Sequence, residues 1–429
     1  MTTQMSQLGP VASGWNALPL KWVAQMAAGG TPDSNDSSYW CEHPEGTPWV
    51  AIGDMSQVEY VQSTAKSLAP AGLFSRKLPI GEPGTILFAM YASVGEVAVL
   101  DIQATWNQAL LGITPSSLLD SRFLYYVLAA MKPHLVSEFR STTQNNLNAE
   151  QVGNFKVPVP PRSVQEAIAD FLDRETAKID AVIEKQRALV DGLRRLHAST
   201  IEAAVTRGLG FKNRLRADDS NQSDRIPEGW SLIRADRALE RVKRAPREDD
   251  GVVTAFRDGQ VTLRANRRTE GFTEALQEIG YQGIRKGDLV IHAMDAFAGA
   301  IGVSDSDGKA SPVVHAYRGK LADPHFMAYV LREASRAGFI QSLAKGIRER
   351  STSFDPASLK KVYVFLPGME EQRGIAAHMA RETARIDAII ARSERLIELS
   401  QERRSALITA AVTGKIEITT DTKALEGVA

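Results

Sequence analysis

Two long stretches of the chain place apolar residues at alternating three- and four-residue steps. Within 159–210 these are Ile168, Leu172, Ile179, Val182, Leu189, Leu193 and Leu196; within 365–420 they are Ile375, Met379, Ile386, Ile389 and Leu396. Charged residues fill most other positions, which predicts two long helices, each with a single apolar seam. At 1.5 Å per residue, about 40 residues make a rod of roughly 60 Å. Such a rod needs a partner for its seam, and the nearest candidate is the other rod. Ser163 and Glu166 form a capping-box signal after Pro160 and Pro161, and Gly208 offers a stop. Glu175, Gln186, Glu382 and Ser393 put polar groups on the predicted seams, where such groups set register at some cost in stability.

The two stretches are copies of each other. RETAKID at 174–180 returns as RETARID at 381–387, a shift of 207 residues. At that shift Pro160 meets Pro367, Gln165 meets Gln372, Leu189 meets Leu396, and AAVT at 203–206 meets AAVT at 410–413. The duplication reaches further. GTILFAMYASVGEVAVLD at 84–101 parallels GDLVIHAMDAFAGAIGVSD at 287–305 after a one-residue gap, with Gly84 on Gly287, Met90 on Met294, Gly95 on Gly299 and Asp101 on Asp305. Trp15 and Trp230 open the two segments. Short apolar runs bounded by glycine predict buried strands, and YVLAAM and AYVLREA predict short helices. The fold class is therefore α+β, two similar globules each followed by a long helix. The expected organisation is a first globule at 1–158, a first helix at 159–210, a polar linker at 211–228, a second globule at 229–364, a second helix at 365–420 and a tail at 421–429.

Composition narrows the function. The chain balances 51 basic against 51 acidic residues, so a nucleic-acid binder of this kind must concentrate its positive charge locally or borrow it from partners. A single cysteine, Cys41, excludes an internal disulfide and a thiolate zinc cluster, which fits a reducing cytoplasm. No stretch approaches the roughly 18 apolar residues of a membrane span, and MTTQMSQLGPVASGW lacks the features of a secretory signal. Catalytic motifs are missing. There is no GxxxxGK[ST] loop, no HExxH and no GxSxG elbow, and the prolines ending at Pro161 are followed by Arg162 rather than the aromatic of an adenine-methyltransferase motif. Cys41-Glu42-His43 reads as a loop. The expectation is a non-catalytic chain.

This ordered set of repeats resembles the specificity (S) subunit of type I DNA restriction-modification systems, over almost the full length. The resemblance rests on Trp15 and Trp230, the glycine-bounded strands, and the RETA helix starts with Gln165 and Gln372 just after proline. It implies two target-recognition domains, with the helices pairing as an antiparallel coiled coil under pseudo-twofold symmetry. Each globule would read one half of a split, asymmetric double-stranded DNA site, and the helices would set the spacer. Two methyltransferase (modification) subunits would dock on the chain, and restriction/translocase subunits would join them. S-adenosylmethionine, ATP and magnesium would be bound by those partners and no cofactor by this chain. The competing reading is a coiled-coil scaffold that binds only proteins.

Base reading needs side chains with paired donors and acceptors, such as Arg for guanine and Asn or Gln for adenine. In the first globule the polar loop Ser141, Thr142, Thr143, Gln144, Asn145 and Asn146 is the candidate. In the second, Arg348, Arg350, Ser351 and Thr352, with Glu349 between them, align with it. Arg264, Asn266, Arg267 and Arg268 form a further candidate patch, and Arg241, Lys243, Arg244 and Arg247 another. These basic groups suit phosphate contacts, which position a protein without specifying sequence. On the helices, Arg174, Asp180, Arg381 and Asp387 are the candidates for partner docking.

Overall fold

A computed structural model describes residues 5–42, 45–56, 58–140, 146–209, 215–217, 225–267, 279–343 and 353–418. The chain forms two compact units, one of residues 1–187 with 395–429 and one of residues 188–394. Four helices organise them: α1 (Ser121–Arg140), α2 (Arg162–Arg207), α3 (Pro324–Arg336) and α4 (Met369–Val412). Each of the long helices α2 and α4 contributes one segment to each unit. Leu215–Ala217 and Arg225–Pro227, within the stretch expected to be a linker, pair as antiparallel strands.

The first unit is built on a five-stranded sheet. Across it lie Ala24–Ala28, Leu110–Pro115, Ile86–Ala89, Val97–Leu100 and Tyr60–Val61, in that order. Ile86–Ala89 is buried throughout, as its unbroken apolar run demands. Helix α1 packs on one face through Phe123, Leu124, Val127 and Leu128, and the two long helices add Ile168, Leu172, Ile408 and Val412 to the same core. Each such side chain contributes about 1.5–3 kcal/mol on burial. A second, four-stranded sheet, which includes Thr47–Val50 and Lys66–Leu68, closes over a smaller core around Trp106.

The second unit repeats the frame. Leu239–Val242, Val314–Gly319, Leu289–His292 and Ile301–Val303 follow the order of the first four strands above. In each unit a strand near the opening tryptophan pairs antiparallel with the strand entering the long helix: Asn16–Pro19 with Lys156–Val159, and Ser231–Arg234 with Tyr363–Leu366. Gly84 and Gly287 hold φ of +93° and +89°, a left-handed turn that an L side chain resists, so the glycine match has a backbone cause. The aligned methionines do not superpose. Met90 donates its N–H to Ala109 O and Ala293 donates its own to Val313 O at the same strand end, so Met90 corresponds to Ala293 and the one-residue gap falls after it.

The helix starts differ from their sequence signal. The Pro161 carbonyl accepts from Val164 and Gln165 N–H, so Ser163 lies inside the first turn and does not cap it. The anchoring side chain is Gln165, which is fully buried. Its Oε1 accepts from Asp120 N–H at 2.7 Å, and its Nε2 donates to Leu118 O and Pro160 O at 2.9 and 2.8 Å. In the second unit Gln372 does the same with Asp323 N–H, Leu321 O and Pro367 O. The first helix stops at a left-handed glycine as expected, Gly208 (φ +74°), and the second does so at Gly414 (φ +72°).

The buried stripe is not the one the three-four spacing selects. Ile168, Leu172 and Ile179 are buried in the first unit, but Val182 is 42% exposed while its neighbour Ile183 is buried. In the second unit Val190 is buried and Leu189 and Leu196 are exposed; on α4, Ile375, Met379, Ile386 and Ser393 are buried, whereas Ile389 is exposed. Leu396, on the first unit's part of α4, is exposed as well. Within the first unit Arg404 Nε donates to both carboxylate oxygens of Asp180, at 2.9 and 3.1 Å. Within the second, His197 Nε2 lies 2.9 Å from Thr383 Oγ1, and Arg194 reaches Glu394 at 2.9 Å. In both units, then, antiparallel segments of α2 and α4 are tied side chain to side chain.

Candidate nucleic-acid interface

The polar loops expected to read bases end on matching anchors. Leu147 donates its N–H to Met90 O at 3.0 Å, and Phe354 donates its own to Ala293 O at 2.9 Å. Both anchor side chains are buried. Immediately after each anchor, Asn148 and Asp355 cap a short helix through the N–H groups of Gln151 and Ser358. Leu147 and Phe354 are therefore fixed beside the end of a central strand, next to the turns that carry Tyr91 and Asp295. Asn146 is exposed at the foot of the first loop. Ser141, Thr142, Thr143, Gln144, Asn145, Arg268, Arg348, Glu349, Arg350, Ser351 and Thr352 lie outside the described residues, as does His43.

Arg264, Asn266 and Arg267 share one turn after the strand Val261–Leu263. Asn266 Nδ2 donates to Thr262 Oγ1 at 2.9 Å. Arg264 Nε donates to Thr254 Oγ1 at 3.4 Å. Arg267 bonds Gln260 Oε1 at 3.0 Å, pairs with Asp258 and stacks over the Phe256 ring at 4.3 Å. The Asp258 side chain beside it raises the pKa of Arg267. The turn is thus preorganised by its own side chains, and Asn266 and Arg267 remain exposed.

The second basic group divides. Arg244 makes a two-pronged pair with buried Asp288, and Arg247 pairs with Asp307 at 3.3 Å. The first of these is a structural anchor, while the second pair lies at the surface. Arg241 and Lys243, together with the paired Arg244, line a cleft of about 390 Å³ with Tyr281, Gln282, Pro312 and His315. Arg241 donates to His315 Nδ1 at 3.3 Å. Burial, then the charge of Arg241, pulls the His315 pKa down, which keeps its ring an acceptor near neutral pH. Besides Arg244, held by Asp288, the cleft therefore presents Arg241, Lys243 and an aromatic ring, the chemistry that meets a phosphodiester backbone.

The first unit carries an aromatic and basic surface with weak sequence signal. Lys66 lies 5.2 Å over the Trp40 ring, and Trp40 packs edge-on to Trp49 at 5.1 Å. Phe74 is 75% exposed beside exposed Arg76 and Lys77, the latter at φ +49°. The pairing of Lys66 with Trp40 needs the sheet to bring two strands together. Only the string FSRK was open to view in the sequence.

Of the docking candidates, Arg174, Arg381 and Asp387 are exposed, while Asp180 is engaged by Arg404. Among the described residues no group of three or more His, Cys, Asp or Glu is arranged to hold a metal, and no helix is long and apolar enough to cross a membrane.

Residues 12–190 match the type I restriction modification DNA specificity domain. The chain is 24% identical over 233 residues to the type I restriction enzyme MjaIX specificity subunit of Methanocaldococcus jannaschii, covering 53% of this chain and 52% of that one. It is 24% identical over 299 residues to the EcoBI specificity subunit of Escherichia coli, covering 63% and 60%. These matches thus span about half the length of the curated relatives. A solved chain from work on complex assembly and conformational transition of the type I R-M system shares the fold, with a TM-score of 0.63 and 17% identity over 95% of this chain and 99% of that one.

Proposed function

We propose that this chain is a specificity subunit of a type I restriction-modification system, as its similarity to such subunits supports, and that it reads a bipartite asymmetric DNA site, one half with each unit. The observation that carries the reading is a duplicated frame with divergent faces. Both units share strand order, the buried glutamine latch and the buried anchor, Leu147 or Phe354, at the end of a central strand. They differ in the side chains around it: Lys66, Trp40, Phe74 and Arg76 in one, Arg241, Lys243, Asn266 and Arg267 in the other. Two like scaffolds with unlike surfaces suit two different half-sites.

In this reading α2 and α4 pair as an antiparallel coiled coil under pseudo-twofold symmetry and set the number of unread base pairs, as dimer geometry does for half-site spacing in other DNA readers. The ties of Asp180 to Arg404 and of His197 to Thr383 support that pairing. Two methyltransferase subunits dock on the chain with Arg174, Arg381 and Asp387 in the contact, and restriction/translocase subunits join them. The chain itself is non-catalytic and works in the cytoplasm. Its partners bind S-adenosylmethionine, ATP and magnesium and perform the chemistry.

Mapping adenine methylation by single-molecule sequencing, in cells expressing the chain with its methyltransferase subunit, tests this. A split motif methylated in both halves is expected. A soluble complex that leaves DNA unmethylated and unbound would favour a protein-only scaffold.

A further inference from the structure

In the second unit, helix α3 carries Arg332 into a cleft of about 420 Å³ walled by Ile201, Phe297, Gly299 and Tyr329. The guanidinium rests on the turn of the hairpin before it. A Cβ on Gly259, whose φ is +89°, would fall 2.4 Å from Arg332 Cζ. The other two cations of the cleft are already matched: Arg257 pairs with Asp295 at 2.7 Å, and Arg336 pairs with Glu202 at 2.8 Å and Glu333 at 2.6 Å. Arg332 is partly buried and, among the described residues, makes no hydrogen bond or ion pair. Burial dominates its electrostatics and pulls its pKa down, against weaker opposing effects of Tyr329, Asp258 and Asp387.

The first unit shows what is special here. Tyr126 and Tyr329 are counterparts, since each bonds the threonine of its RETA repeat, Thr176 and Thr383. Three residues on, the first unit has Ala129 where the second has Arg332. The carboxylate that Tyr126 also bonds, Asp173 at 2.7 Å, is replaced by Ala380 at the equivalent place in the second repeat. The second unit has thus gained a recessed cation and lacks the carboxylate that bonds the tyrosine in the first.

A desolvated cation without an anion costs stability, and supplying a hydrogen-bonded carboxylate recovers it. We propose that Arg332 is a receptor for an acidic side chain of a protein partner, with an adjacent apolar residue of that partner entering against Phe297 and Ile201. A recessed guanidinium between apolar walls suits a protruding side chain. The backbone of a duplex is convex and meets cations that project outward. The inference rests on the methyltransferase docking proposed above and assigns a contact to the copy bound by the second unit.

The test uses the full chain and its methyltransferase subunit, comparing wild type with Arg332→Met and Arg332→Lys by light scattering and binding titration. Arg332→Met is expected to leave the melting temperature of the free chain unchanged or raised, because it removes an uncompensated charge. The same variant should weaken one of two bound methyltransferase subunits by about 30-fold or more, with Arg332→Lys in between. A lowered melting temperature would show a structural role and overturn the proposal, as would unchanged binding of both copies. Hydrogen exchange on the wild-type pair gives a second readout that needs no variant. Slower exchange at 256–260 and 296–299 on binding supports the receptor, and unchanged exchange there overturns it. If the wild-type chain binds no methyltransferase subunit at all, the docking reading itself falls and the receptor with it.

Discussion

Gln165 Oε1 accepts the backbone N–H of Asp120 at 2.7 Å, while its own amide donates to two carbonyls. This one side chain joins the first turn of α2, the strand before it and the start of α1. A primary amide is suited to the place because it offers an acceptor and two donors on one planar group. The latch recurs at Gln372, so each globule is locked to its own helix rather than strung before it.

Replacing Gln165 by leucine leaves the buried Asp120 N–H and Pro160 carbonyl, and the part-buried Leu118 carbonyl, without this partner. Such groups cost about 1–3 kcal/mol each when left unsatisfied. With some rearrangement, Gln165→Leu should lower the stability of the first unit by about 2–4 kcal/mol. Denaturant unfolding, followed by the fluorescence of the tryptophans of the first unit, would read this. A change below about 0.5 kcal/mol would show that the latch is not structural.

Acid should weaken the second unit selectively. Burial is the first cause lowering the pKa of His197, His292 and His315, all in that unit. The unfolded chain then binds more protons than the folded one, so stability rises with pH. The contribution is fully present above the unfolded histidine value of about 6.5 and is lost progressively below it. Thermal scans at pH 7.5 and 5.5 should show the transition of the second unit moving down. His197→Gln should flatten that dependence, and an equal slope in the variant would assign the effect elsewhere.

Exchanging residues 1–155 for the corresponding globule of another family member should change one methylated half-site and keep the other. Methylome sequencing reads both halves at once. Alteration of both halves would contradict one reader per unit.

Lengthening the ruler should lengthen the gap. Seven residues inserted in α2 after Arg187, with seven matched in α4 before Arg395, add about 10.5 Å while keeping the buried faces in phase. At about 3.4 Å per base pair, the spacer should grow by about three. An unchanged spacer in an active complex would show that the helices do not set it.

Much of the architecture was legible along the chain. The shift of 207 residues, the glycines that turn at positive φ and the terminating Gly208 are local facts of backbone chemistry. They identify duplication, helices and strand ends without reference to distant residues. The candidate site was legible as polar and basic residue types, but which of those are engaged was not. Arg244 and Arg267 look alike in sequence, yet one pairs with buried Asp288 and the other pairs with Asp258 at an exposed turn.

The helix seam marks the division most clearly. Val182-Ile183, Leu189-Val190, Ile389-Ile390 and Leu396-Ile397 are adjacent apolar pairs, so either member continues a helical period. Periodicity determined that these helices carry apolar stripes. It had no means of choosing between two stripes about 100° apart. Packing chose Ile183 and Val190, because burial depends on which face a neighbouring helix covers, and that neighbour lies some 200 residues away in sequence. The same reason hid Asp180 with Arg404 and the recessed place of Arg332: ion pairs and burial are properties of assembled surfaces, which only the tertiary structure brings together.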